Sequence, residues 1–151
     1  MLFRSSASKR AQIRTPATHN IDAYQLYLKG RYHWNKRTEE GFKKGIEYFE
    51  QAIEKDPNYA LAYAGLADCW LLIGNPDYHY YPARDAYTRA KVAITKALEI
   101  ENSLAEAHTS LANLKHMYEW DWNGAEKEFK KAIELNPNYA KIGRASCRER
   151  V

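Results

Sequence analysis

Residues 52–60 read AIEKDPNYA and residues 132–140 read AIELNPNYA, identical at seven of nine positions. Just upstream, YFEQ (48–51) and EFKK (128–131) share a pattern that aligns Phe49 with Phe129. Self-similarity of this kind marks a repeat architecture and governs how every other segment is read. Pro57 and Pro137 lie 80 residues apart. Two helical-repeat units of roughly 34 residues would span about 68, so roughly a dozen residues are inserted between the matching segments.

The intervening unit can be located. Residues 60–74, ALAYAGLADCWLLIG, resemble residues 105–118, AEAHTSLANLKHMY. Residues 90–100, AKVAITKALEI, resemble the segments around Phe49 and Phe129. Small and apolar residues recur at i, i+3, i+4 and i+7, the stripe of an amphipathic helix. The stripes are Gly45–Tyr48–Phe49–Ala52–Ile53, Ala90–Ala93–Ile94–Ala97–Leu98 and Ala125–Phe129–Ala132–Ile133. This periodicity predicts helices over 21–36, 39–55, 59–73, 83–100, 104–118 and 122–135, with a loop at 77–82. Pro82 suits a helix start, and Asp121 or Asn123 suits the cap of the last helix.

Gly45–Phe49–Ala52–Pro57 and Ala125–Phe129–Ala132–Pro137 together resemble the second-helix signature of the tetratricopeptide repeat (TPR). Ala90–Ile94–Ala97–Asn102 follows the same pattern but lacks the final proline. First-helix positions match at Tyr63–Leu66–Ala67–Trp70 and at His108–Leu111–Ala112, and more loosely at Tyr27, Gly30 and Tyr32. The resemblance covers residues 21–140. It implies an all-α solenoid of stacked antiparallel helix pairs. The repeats fall at 21–58, 59–103 and 104–138 of a domain spanning 21–141. The array is expected to be truncated at its C-terminal side, which would leave Phe129, Ile133 and Tyr139 incompletely buried.

Apolar residues make up 45% of the chain, enough for a core, and the net charge of +4 is concentrated at the ends. Residues 1–20 carry Arg4, Lys9, Arg10 and Arg14 with no acid, and read as a solvated, disordered lead-in. Residues 142–151, IGRASCRERV, equal a translation of a common short-read sequencing adapter, and are expected to be a library artefact. The stretch between is close to neutral, which disfavours nucleic acid as the main partner. Nucleic-acid binding through the basic N-terminal segment remains the alternative function, with steep salt dependence as its mark. The chain shows no secretory h-region and no long apolar run, so a cytoplasmic location is expected.

Neither the spacing of Cys69 and Cys147 nor that of the five histidines makes a metal or redox motif. Phosphate-loop, nucleophile-elbow and dinucleotide signatures are missing too. No catalysis, cofactor, metal or small-molecule substrate is therefore expected.

The TPR resemblance places the first helices along a concave groove. The inward positions it implies are Tyr24, Tyr27, Arg31 and Trp34; then Leu61, Ala64, Asp68, Leu71 and Leu72; then Glu106, Thr109, Asn113, His116 and Met117. Only Arg31 and Asn113 are of the type that family members use to clamp a C-terminal carboxylate. An extended or helical peptide of another protein is the expected partner. The loop NPDYHYYP (75–82) lengthens the second unit. Its Tyr78, His79, Tyr80 and Tyr81 read either as an aromatic contact surface or as rings that pack on a neighbour, the commoner use. Trp122 falls at an aromatic core position and is expected to pack inside. The stretch AYQLYLKGRYHWNKRTEEG (23–41) resembles segments that follow winged-helix or kinase domains in bacterial regulators. The expected function is therefore a protein–protein interaction scaffold within a larger bacterial signalling or transcription-regulatory protein.

Overall fold

The computed structural model describes residues 18–138. The basic side chains of the lead-in, the 142–151 block with Cys147, and Tyr139 lie outside the described residues. The chain forms α1 (Ile21–Asn35), α2 (Glu39–Lys55), α3 (Ala60–Ile73), α4 (Ala83–Ile100), α5 (Ala105–Leu114), one π-helical turn (Lys115–Glu119) and α6 (Trp122–Leu135). No strand occurs among the described residues.

Local chemistry explains several of these starts. The Thr38 hydroxyl accepts from the Gly41 N–H at 3.0 Å and caps α2. Glu39 and Glu40 follow in its first turn, where the helix dipole favours acids, and each pairs with a lysine four residues on. Asn20 caps α1, and of the two expected candidates Asp121 caps α6, accepting from Gly124 N–H at 2.9 Å. Helices α3, α4 and α5 have no side-chain cap.

The turns between hairpins precede α3 and α5, while α4 starts at Pro82, whose carbonyl accepts from Ala86 N–H at 3.1 Å. Asp56, Glu101 and Asn136 hold nearly one backbone conformation, at φ/ψ of −142/94°, −140/93° and −144/86°. Each N–H reaches back to an alanine carbonyl, Ala52, Ala97 or Ala132, at 3.0, 2.9 and 3.0 Å. Proline follows two of these residues and Asn102 follows the third, yet the turns agree. The helix ends therefore take the same form with and without the following proline.

The expected helix over 104–118 needs correction. It is α-helical only to Leu114 and then widens into the π turn. The third hairpin has one residue more than the repeat pattern, and an i→i+5 turn absorbs it. Trp120 ends this turn at φ 53°, a left-handed conformation costly for a bulky residue. Trp122 is corrected as well. It stands 57% exposed beside a 71% exposed Trp120, its ring edge-on to His116 at 4.5 Å. It is the first residue of α6 and lies outside the hairpin, whose interior is filled by Leu114 and Ala125.

Short connections fold the helices into hairpins α1/α2, α3/α4 and α5/α6. The first helices α1, α3 and α5 also pack on one another in series, whereas α2 and α4 make no comparable contact. The stack is therefore tighter on its first-helix side, the side where the TPR resemblance expects the groove.

Phe49 of α2 is fully buried where three helices meet. A Cβ on Gly30 of α1 would stand 2.7 Å from its ring, and one on Gly65 of α3 would stand 2.5 Å away. Both glycines have ordinary negative φ, so the requirement is close approach, not backbone freedom. Tyr27 lies against the same ring at 5.8 Å. Cys69 is buried within this core, and burial pushes its thiol well above the usual range. In the third hairpin His108 is buried between the Glu128 carboxylate, at 2.6 Å, and the Asn102 carbonyl, at 2.8 Å, tying α5 to α6 and to the preceding turn. At the far end Ile133 is 38% exposed and Phe129 half-buried, as the repeat pattern leads one to expect.

Two predictions follow from packing and turn geometry. Gly65→Ala should cost about 1–3 kcal/mol net by overpacking, although alanine's helix propensity favours it by about 1 kcal/mol. Urea denaturation followed by circular dichroism measures it, and a neutral or stabilised variant would show that the slot can open. Asn102→Pro should raise stability by about 0.4–1 kcal/mol, because Glu101 already holds the extended conformation that a following proline demands. A lower melting temperature would show that the turn at Asn102 needs its N–H.

Candidate peptide-binding groove

The inner side presents α1, α3 and α5 next to one another, and Asp68 of α3 joins all three. Its Oδ2 accepts from Arg31 Nη1 of α1 at 2.9 Å. Its Oδ1 accepts from the Ser110 hydroxyl of α5 at 2.6 Å. Asp68 and Arg31 are largely covered and Ser110 is fully buried, so this rung is shielded from water and stronger than a surface pair. Arg31 also lies 4.5 Å from the Trp34 ring centre, and Arg37 lies 3.9 Å from it. Arg37 reaches the ring from a left-handed backbone at φ 54°.

The expected groove residues divide into distinct groups. Arg31 and Asp68 meet directly. Trp34 and Leu71 are buried in the core and are corrected as ligand contacts, because the stacking of α1 on α3 covers them. Tyr27 is half-buried between Phe49 and Tyr59, and Ala64 is buried against Ala60 and Leu104. The Thr109 hydroxyl bonds to the Ala105 carbonyl at 2.9 Å. Tyr24 is exposed, while Leu61, Leu72, Glu106, Asn113, His116 and Met117 are partly open. His116 and Met117 sit in the π turn, which rotates them away from a regular α-helical placement. No hydrogen bond occupies the Asn113 amide among the described residues, so it has donors and an acceptor to offer.

Ser110 was not visible as a groove residue. It takes the place in α5 that Gly65 takes in α3, a position that reads as small packing. A serine where the aligned repeat has glycine is the one signal that could have marked it.

The 75–82 loop uses its tyrosines for packing. Tyr78 meets Phe42 edge-on at 5.9 Å and stacks on Tyr80 at 5.4 Å, while Tyr81 meets Trp70 edge-on at 5.4 Å. His79 is exposed, at φ 55°. Among the described residues no three His, Cys, Asp or Glu side chains converge as a metal site, and no helix is long and apolar enough to cross a membrane.

Stacked antiparallel helical hairpins, with the first helices adjacent along one side, define the fold as a TPR-type solenoid. The comparisons agree. Among solved structures, the first TPR domain of Spaghetti (RPAP3), bound to an HSP90 peptide, matches with a TM-score of 0.60 and 15% identity. The match covers 88% of this chain and 99% of that domain. Among curated proteins, Superkiller protein 3 of Schizosaccharomyces pombe is 27% identical over 132 residues, which is 81% of this chain. The chain spans only 9% of that relative's length. No family model matches the chain.

The Asp68 rung yields a stability prediction. Asp68→Ala removes the acceptor shared by Arg31 and Ser110, leaves the Ser110 hydroxyl only the Glu106 carbonyl at 3.0 Å, and should cost about 1–3 kcal/mol. A double-mutant cycle with Arg31→Ala should return a coupling of about 1 kcal/mol, reduced by residual solvent access. Additive effects of the two changes would mean that the rung does not couple α1 to α3.

Proposed function

We propose that this chain is a protein–protein interaction module whose first-helix groove binds a peptide segment of another protein, with no catalysis of its own. The observation that carries the reading is the state of the groove's middle rung. Arg31 is committed to Asp68, so it does not stand ready to grip a ligand carboxylate. Recognition then falls to the flanking side chains, with Leu72 and Met117 for apolar anchors and Asn113 for a peptide backbone amide. A peptide lying across α1, α3 and α5 meets all of these on one side. The solved TPR domain with its bound peptide supports a peptide as the class of ligand.

The wider reading is a scaffold or sensory part of a larger bacterial signalling or transcription-regulatory protein that works in the cytoplasm. The resemblance of residues 23–41 to segments that follow regulatory domains supports it.

Peptides selected from a displayed random library against the full chain provide the test. Asn113→Ala should weaken them several-fold, in the range of about 1 kcal/mol for a lost hydrogen bond, with helical signal and melting curve unchanged. Glu126→Ala on α6, outside the groove, should leave affinity as it was. The opposite pattern would put the binding site elsewhere.

A further inference from the structure

A cavity of about 660 Å³ opens on the face of α3 opposite to Asp68. Helices α2 and α4 stand apart there, and α3 forms the floor between them. Tyr63, Leu66 and Trp70 line that floor at i, i+3 and i+7, one helical face. Val92 of α4 forms an apolar wall and is 67% exposed, although it faces a core helix.

The two rims differ in charge. On the α2 side Glu50 stands between Glu47 and Glu54, one turn before and after it. On the α4 side are Arg89 and Lys96, the latter in a loose 3.4 Å pair with Glu99. Arg89 lies 5.0 Å from the Trp70 ring centre. Neither Glu50 nor Arg89 forms a salt bridge among the described residues. Partial burial pushes the Glu50 carboxyl up, against the pull of Arg89.

We propose that the groove between α2 and α4 is a second docking surface, which takes an amphipathic helix of another protein with an apolar stripe flanked by basic residues on one side and acidic residues on the other. The floor is two helical turns long, about 10 Å, which matches the i, i+3, i+7 anchors of a short helix. Its polar groups lie along the rims and not in the floor, which suits a helix with charged flanks better than a small ligand held at convergent polar points. The rim charges are unlike, so a helix with one basic and one acidic flank has one direction in which each flank meets the rim of opposite charge. A second copy of the chain lacks such a helix at its most exposed apolar stripe, Ile21–Tyr24–Leu28–Tyr32 of α1, where Asp22 is the only acid. This surface faces away from the first-helix groove, so the inference does not rest on the reading above.

The test uses three lactam-bridged helical peptides of about 15 residues with one leucine stripe. Their flanks are lysine/glutamate, lysine/lysine or glutamate/glutamate. Fluorescence anisotropy against the full chain should show the mixed-flank peptide binding at least about threefold more tightly than the others, a modest electrostatic preference. Val92→Asp should weaken it by about tenfold, and Asn113→Ala should not. Glu50→Lys, which removes the α2-side acid that lines the groove, should reduce the preference for the mixed-flank peptide and provides a second variant should Val92→Asp disturb folding. Equal binding of all three peptides would overturn the proposal, as would loss on Asn113→Ala with Val92→Asp and Glu50→Lys silent. A concentration-dependent dimer that excludes the peptide would also overturn it, by assigning the groove to a second copy.

Discussion

The ring of Phe49 sets the distance between the first two hairpins. It enters a slot with no side chain on either wall, Gly30 on one side and Gly65 on the other. A ring cannot bend out of the way as an aliphatic chain can, so the slot width is a hard constraint. Three helices are brought to one spacing by that contact. The inner surface of the stack follows from it, because α1 and α3 must lie close enough for Arg31 to reach Asp68.

The same spacing lets a polar tie form beside the packing contact. An aspartate between helices held at a fixed distance can satisfy both of its oxygens, one toward α1 and one toward α5. On the proposed reading the groove floor is a tied surface, and a ligand would meet a preformed shape. The cost falls on chemistry: the one arginine of the expected groove set is already used. Specificity has to come from weaker, shorter-range partners such as Asn113 and from apolar fit.

Much of the fold was legible because the repeat is written in residue types with strong physical consequences. Alanine at Ala52 and Ala132 and the aromatic at Phe49 and Phe129 announce close helix pairs, and five of the six helices begin and end within one residue of the periodicity. The groove was less legible, since a helical wheel shows direction and not depth. Trp34 and Leu71 point along the inner side yet are sealed by the neighbouring helix. Trp122 sits at an aromatic position in the pattern, but the extra residue before it is absorbed by the π turn and the ring stays outside. Ser110 was hidden because its partner is 42 residues away and no local spacing reveals it. The outer groove was hidden for a similar reason: its walls come from α2 and α4, which only the stacking sets apart.

The residues that end the three hairpins, Asp56, Glu101 and Asn136, share a backbone conformation whether or not proline follows. A joint that does not depend on the identity of its residues is interchangeable, like a coupling of standard gauge. Recombination within a gene can cut after one such turn and rejoin after another, since each hairpin ends in the same backbone conformation. Arrays of this kind can therefore lengthen or shorten by whole hairpins while each unit drifts in sequence. The near-identity of 52–60 and 132–140, across a divergent middle unit, is what such a history would leave behind.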